Sequence, residues 1–192
     1  TPGSVFTGLS TDSREISPGQ LFWALKGEEY DGHDFVEQAI DKGATGIVIE
    51  KSYLLKIPPG RGLVLMRVTD TLKALGDLAG WWRHQHGIPV AAITGSVGKT
   101  TTKEMTASIL GLGALTLKNK GNFNNLIGLP HTLLALEEVH GRAVLEMGMN
   151  RPGEIARLTE IADPDIGLIT NVARAHLEGL GNIEGVARAK VE

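Results

Sequence analysis

The segment ITGSVGKTTTKEM, residues 93–105, holds two glycines, two lysines and four threonines where an apolar run gives way to a helical stretch. Those residue types at that spacing can hold phosphate. Gly95 and Gly98 allow a tight turn that aims several N–H groups at one point. A helix beginning at Lys99 adds the partial positive charge of its N-terminus. Lys99 supplies a full charge for the outer phosphates, and the Thr100 hydroxyl can ligate Mg²⁺. Gly95, Ser96, Val97, Gly98, Lys99, Thr100 and Thr101 are therefore candidate nucleotide contacts. The common spacing G-x-x-x-x-G-K-[ST] would need glycine at 93, where the chain has Ile93, so this loop is two residues shorter. A plain glycine-rich turn before a helix is the competing reading, but G-x-x-G-K-T-T between a strand and a helix is a far rarer pattern.

Further candidates lie downstream. Glu146, in Val144-Leu-Glu-Met-Gly148, closes an apolar run and could hold Mg²⁺ against a nucleotide, or could be a solvated carboxylate just past a strand. Asn122, Asn124 and Asn125 could donate to phosphate or build turns, the ordinary habit of asparagine. A lone His176 is more often a core or surface residue, and Mg²⁺ prefers oxygen. Lys190 reads as a helix-surface lysine, and Thr11-Asp-Ser13-Arg14 as a polar turn.

The elements that must position these residues follow from periodicity. Apolar runs at 21–24, 46–49 and 63–68 read as strands. Asp34 can cap a helix running to about Gly43, and Thr69 or Asp70 can cap one with apolar residues at 72, 75, 78, 79 and 82. Gly87-Ile-Pro89 interrupts the pattern. Beyond it, strands at 90–94, 114–117, 143–147 and 166–170 alternate with helices at 99–110, about 127–136 and 153–162, and a terminal helix begins near 182. The fold class is α/β: a small mixed α/β domain over 1–86, then a parallel-sheet phosphate-loop domain over 87–192, with functional residues at the carboxyl ends of its strands.

Composition narrows the partners. Of 192 residues, 42% are hydrophobic and 21% charged, enough apolar content to bury a core. A net charge of −3 without a basic block argues against nucleic acid. Cysteine is absent, which excludes a disulfide framework and a thiolate metal site. Neither a membrane-length apolar run nor a leader-like segment is evident, so no membrane insertion and a cytoplasmic location are expected. Glu192 falls inside a helical pattern, so the chain is expected to be a fragment of something longer.

Taken together, TDSREISPGQLFWALKGEEYDGHDF (11–35), ITGSVGKTTTKEM (93–105), GNFNNLIGLP (121–130), VLEMGMN (144–150) and ITNVARAHLEGLG (169–181) resemble the Mur ligase family of ATP-dependent amide-forming enzymes of peptidoglycan precursor synthesis. The match runs over essentially the whole chain, and the short phosphate loop is the family's own form. GNFNN and EMGMN are most similar to the member that joins D-alanyl-D-alanine to UDP-MurNAc-tripeptide through an acyl phosphate. The resemblance implies that Lys99 and Thr100 bind ATP phosphates and Mg²⁺ and that Glu146 ligates that ion. It implies that His176 and a carbamylated Lys190 hold a second Mg²⁺, with Lys99, His176 and Lys190 acting in catalysis. It places Ser13 and Arg14 in a UDP-sugar-binding domain, and Asn122, Asn124 and Asn125 near the phosphates or the muramoyl substrate. Val97 stands where asparagine or a small residue is commoner. The family's C-terminal domain is missing, so this piece alone is expected to be inactive, and it is expected to be a monomer. Other ligases of the superfamily, or a nucleotide-binding regulator without catalysis, are the alternatives.

Overall fold

In the computed structural model, residues 5–27, 29–55, 62–173, 179 and 181–192 are described. The chain divides into two compact units, Thr1–Ala74 and Leu75–Glu192.

The first unit is a four-stranded parallel sheet in the order β1-β2-β3-β4, from Leu9–Ser10, Leu21–Trp23, Gly46–Glu50 and Val64–Val68. The two-residue β1 carries no apolar run, so periodicity does not reveal it. Phe22, Ile47 and Ile49 pack with Val36 and Ala39 of α1 (Val36–Asp41). The cap expected at Asp34 is instead Asp31. Its carboxylate accepts from the His33 N–H at 3.0 Å and opens a 3-10 turn, Gly32–Phe35, ahead of α1. The His33 ring is fixed at both nitrogens: Nε2 accepts from the Glu50 N–H at 3.0 Å, so Nδ1 donates to Asp31 at 2.5 Å. That arrangement ties the DGHDF segment to β3.

Helix α2, Thr71–Gln85, is capped by Asp70, whose carboxylate accepts from the Lys73 N–H. Its later turns belong to the second unit. There Ala79 and Trp82 pack into the core, the Trp82 indole donates to Leu136 O at 3.1 Å, and buried Arg83 donates to Ala162 O and Asp163 O.

The second unit is a parallel sheet in the order β6-β7-β5-β8. In chain order its elements are β5 (Val90–Thr94), α3 (Lys99–Leu110), β6 (Thr116–Lys118), α4 (Gly128–Leu134), β7 (Arg142–Glu146), α5 (Glu154–Ala162), β8 (Ile166–Ile169) and α6 (Ile183–Lys190). Strand alternation sorts the core. Val90, Ala92, Ala143 and Leu145 pack with α4, α5 and α6, whereas Ile93 and Val144 pack with Ala107 and Leu110 of α3. Glu146 has the parity of Val144, so its side chain leaves the sheet on the face that carries α3. Among the described residues, no helix is long and apolar enough to cross a membrane.

Candidate phosphate and metal site

The loop from β5 to α3 has the backbone its glycines allow. Gly95 has φ 145°, and Gly98, at φ 86°, precedes the first turn of α3. A Cβ on Gly95 would stand 1.9 Å from the Thr170 hydroxyl, so only glycine fits there. Thr170 and Asn171, just past β8, fasten the loop from the side. The Thr170 hydroxyl donates to Val97 O at 2.7 Å, the Ser96 N–H donates to Asn171 O, and the Val97 N–H donates to Asn171 Oδ1. The Val97 side chain is exposed, which explains why an aliphatic residue is tolerated: the loop is held through its backbone. Two loop N–H groups are thus already spent on Asn171. Among the described residues the N–H groups of Gly98, Lys99, Thr100 and Thr101 meet no protein acceptor, as at any uncapped helix start. These four donors, with Lys99, make a cradle that could hold an anion. The Lys99 ammonium rests on Gly95 O at 2.8 Å.

Glu146 lies beside the cradle. It is 3% exposed, and its carboxylate accepts from the Thr100 hydroxyl and from Asn124 Nδ2, each at 2.8 Å. Its peptide is clamped by Asn119, which follows β6. Asn119 Oδ1 accepts from the Glu146 N–H and Asn119 Nδ2 donates to Glu146 O, so a side-chain amide continues the ladder where the strand stops. Close packing brings Asn124 in: a Cβ on Gly148 would sit 2.9 Å from its side chain, and the Gly148 N–H donates to Asn124 O. A buried carboxylate and a hydroxyl, with the Asn124 amide orienting the carboxylate, offer the oxygen donors that suit Mg²⁺, and the neighbouring N–H groups suit phosphate. The residues present therefore fit both groups.

The remaining expected residues are distributed as follows. Asn125 Oδ1 accepts from the N–H groups of Ile127 and Gly128, so it caps the start of α4. Asn122 is exposed, and its carbonyl accepts from the Asn124 N–H. Ser13 is buried and donates to Gln38, whereas exposed Arg14 forks onto Asp12 and holds that carboxyl down at about 2. His176 lies outside the described residues. Lys103, Asn119, Thr170 and Asn171 are the participants that sequence reasoning passes over. Lys103, one helical turn after Thr100, and Thr170 and Asn171 lie inside segments that carry the resemblance, but their types alone assign them no role.

Lys190 ends α6 and is only 4% exposed, not the surface lysine its helix suggested. It lines a cavity of about 290 Å³ with Ala92, Thr94, Met147, Ile155 and Leu168. Burial first, and the charge of Lys99 second, push its ammonium below the usual lysine range. Lys99→Met removes the second cause, so the Lys190 titration, followed by NMR of the ¹³Cε signal, is expected to move upward while staying below that of a free lysine. No movement would show that Lys99 does not act on it. The chain's end returns to this region: both Glu192 carboxylate oxygens accept from the Gly153 N–H at the start of α5.

With this geometry in place, the comparisons are specific. Residues 93–192 match the Mur ligase middle domain, and residues 5–81 match the Mur ligase family catalytic domain. The UDP-N-acetylmuramoyl-tripeptide–D-alanyl-D-alanine ligase of Bacillus subtilis is 46% identical over 98% of this chain and 41% of its own length. The ligase of the same name from Escherichia coli is 46% identical over 96% of this chain and 39% of its own. Crystal structure I of MurF from Acinetobacter baumannii superposes with a TM-score of 0.90 at 40% identity, covering 98% of this chain and 41% of that one. MurF ligase from Thermotoga maritima in complex with ADP gives 0.87 at 34%, covering 100% and 43%. The chain thus spans about two fifths of the length of the relatives it matches. Two family models and these relatives agree, and the chain belongs to the Mur ligase family.

Proposed function

We propose that this chain forms the UDP-MurNAc-peptide-binding and ATP-binding portions of an ATP-dependent, cytoplasmic ligase that joins D-alanyl-D-alanine to UDP-MurNAc-tripeptide. The observation that carries the reading is the hydrogen bond between Thr100 and buried Glu146 at the mouth of the phosphate loop. It is supported by the ligases named above, which match both units, and by the ADP bound in one structural relative.

In this reading the N–H groups of Gly98 through Thr101 and the Lys99 ammonium grip the β- and γ-phosphates. On binding, Lys99 exchanges the Gly95 carbonyl for phosphate oxygen. Thr100 and Glu146 would hold Mg²⁺, which would supply charge neutralisation for phosphoryl transfer to the substrate carboxylate. A carboxylate is a poor electrophile, and its acyl phosphate carries a good leaving group. The amine of D-alanyl-D-alanine attacks that carbonyl carbon, the C–N bond forms, the C–O bond to phosphate breaks, and the amine proton is lost. Neutral Lys190 can add to CO₂ and release a proton, and the resulting carbamate, with His176, would hold a second Mg²⁺; its depressed basicity favours the neutral amine that this step needs. Asn124 orients Glu146, while Ser13 and Arg14 serve the UDP-sugar portion.

Calorimetric titration of the chain with ADP, in Mg²⁺ and in EDTA, tests the reading. Binding that requires Lys99 and strengthens at least about tenfold with Mg²⁺ is expected. Absence of ADP binding, or binding indifferent to both Lys99 and Mg²⁺, would overturn it.

A further inference from the structure

Lys103 is fully buried on α3, one turn beyond Thr100. Its ammonium donates to Asn119 O at 2.7 Å and lies 3.3 Å from Glu104 Oε1 and 3.9 Å from Glu146 Oε2. Glu104 is about half exposed and also pairs with Lys118, so its charge is shared and screened. Glu146 is the dry partner. The same Asn119 that anchors the ammonium through its carbonyl clamps the Glu146 peptide through its side chain. Ammonium and carboxylate are thus fixed in one buried assembly, with almost no water between them to screen their charges.

This has a consequence for any cation that approaches Thr100. A divalent ion entering alone meets a carboxylate already neutralised by Lys103, and it meets the ammonium charge as well. Strong sites for hard divalent cations gather several anionic oxygens. Here the missing negative charge would come from the phosphates gripped by the neighbouring loop. We propose that Lys103 is a resident counter-cation that lowers the affinity of the Thr100–Glu146 site for a free divalent ion, so that the ion is retained only together with nucleotide phosphates. The inference rests on the reading that Thr100 and Glu146 hold the metal. It adds an obligatory coupling of metal and nucleotide, set by a residue that touches neither.

Mn²⁺ binding to the chain, counted by electron paramagnetic resonance with and without ADP, tests this. The unaltered chain is expected to bind Mn²⁺ weakly alone and tightly with ADP. Lys103→Gln keeps a donor for Asn119 O but removes the charge, and it is expected to bind Mn²⁺ alone about tenfold more tightly. Lys103→Met should do the same, and Lys103→Arg, which restores the charge, should return to the weak value. Thermal melts give a second reading: Mn²⁺ alone should raise the Tm of Lys103→Gln more than that of the unaltered chain, and a variant folded only in Mn²⁺ would support the proposal. Unchanged nucleotide-free Mn²⁺ affinity in both neutral variants, with ADP-coupled binding intact in the unaltered chain, would overturn the counter-cation role alone. A variant unfolded even in saturating Mn²⁺ would also overturn it, because the loss would then not be one of charge. An unaltered chain whose Mn²⁺ binding ignores ADP would overturn both this inference and the functional reading beneath it.

Discussion

Glu146→Ala is expected to lose about 3 kcal/mol of stability in urea unfolding, together with the Mg²⁺ dependence of ADP binding. The magnitude follows from breaking a buried ion pair on one side: Lys103 stays in the interior while its dry partner disappears. The Thr100 hydroxyl and Asn124 Nδ2 also lose their acceptor. Two variants separate these contributions. Glu146→Gln keeps an acceptor for Thr100 and the side-chain volume but removes the charge that faces Lys103, so it should keep the ion-pair share of the stability loss, recover the hydrogen-bond and cavity share, and still lose the metal dependence. Glu146→Ala with Lys103→Met removes both charges, and a double-mutant cycle should recover at least about 1 kcal/mol. Full Mg²⁺ dependence in Glu146→Gln would exclude Glu146 as a metal ligand. Strict additivity in the cycle would show that the pair is not coupled.

Gly95→Ala is expected to weaken ADP binding about a hundredfold, or about 2.7 kcal/mol, the scale of one or two lost hydrogen bonds to a charged phosphate. Two causes act together. The backbone at φ 145° is strained for any residue with a Cβ, and that Cβ would stand 1.9 Å from the Thr170 hydroxyl. Thr170 must then rotate and release Val97 O, which unfastens the loop where the cradle begins. Gly98→Ala is the informative contrast. Its φ of 86° is also left-handed, but nothing lies within 4 Å of the added Cβ, so it should lose far less affinity. Thr170→Ala in the Gly95→Ala background makes room for the methyl group and should restore part of the binding. Equal losses at the two glycines would mean that backbone strain alone governs the loop, and no recovery in the double variant would exclude the Thr170 contact as the cause.

The stretches that carry local information were legible in the chain itself. Alternation of strands and helices, the glycines flanking Ser96 and Val97, and Glu146 at the end of an apolar run follow from short-range periodicity and turn chemistry, which neighbours in sequence determine. Element ends were less so: β6 begins at Thr116 rather than 114, because the Ala114 N–H still turns back to Leu110 O at the end of α3. The cap before α1 moved to Asp31, since two carboxylates in DGHDF compete for the same turn and only His33, pinned to β3, decides between them.

Whether Glu146 meets Thr100 was decided by the tertiary structure, because it depends on β5 and β7 being neighbours in the sheet and on strand parity turning Glu146 toward α3. The same holds for the buried Lys103, the Asn119 clamp and the Asn171 fastening, where ordinary polar residues gain meaning from partners 16, 27 and 74 or more positions away. Lys190 shows the division most plainly. Its helix was readable, but its burial and its depressed basicity come from a cavity wall and from the charge of Lys99, neither of which is near it in sequence. Local sequence determined which groups could do phosphate chemistry, since backbone conformation and side-chain type are short-range properties. Their charge environment and mutual distance arise from packing, and only the folded chain supplied those.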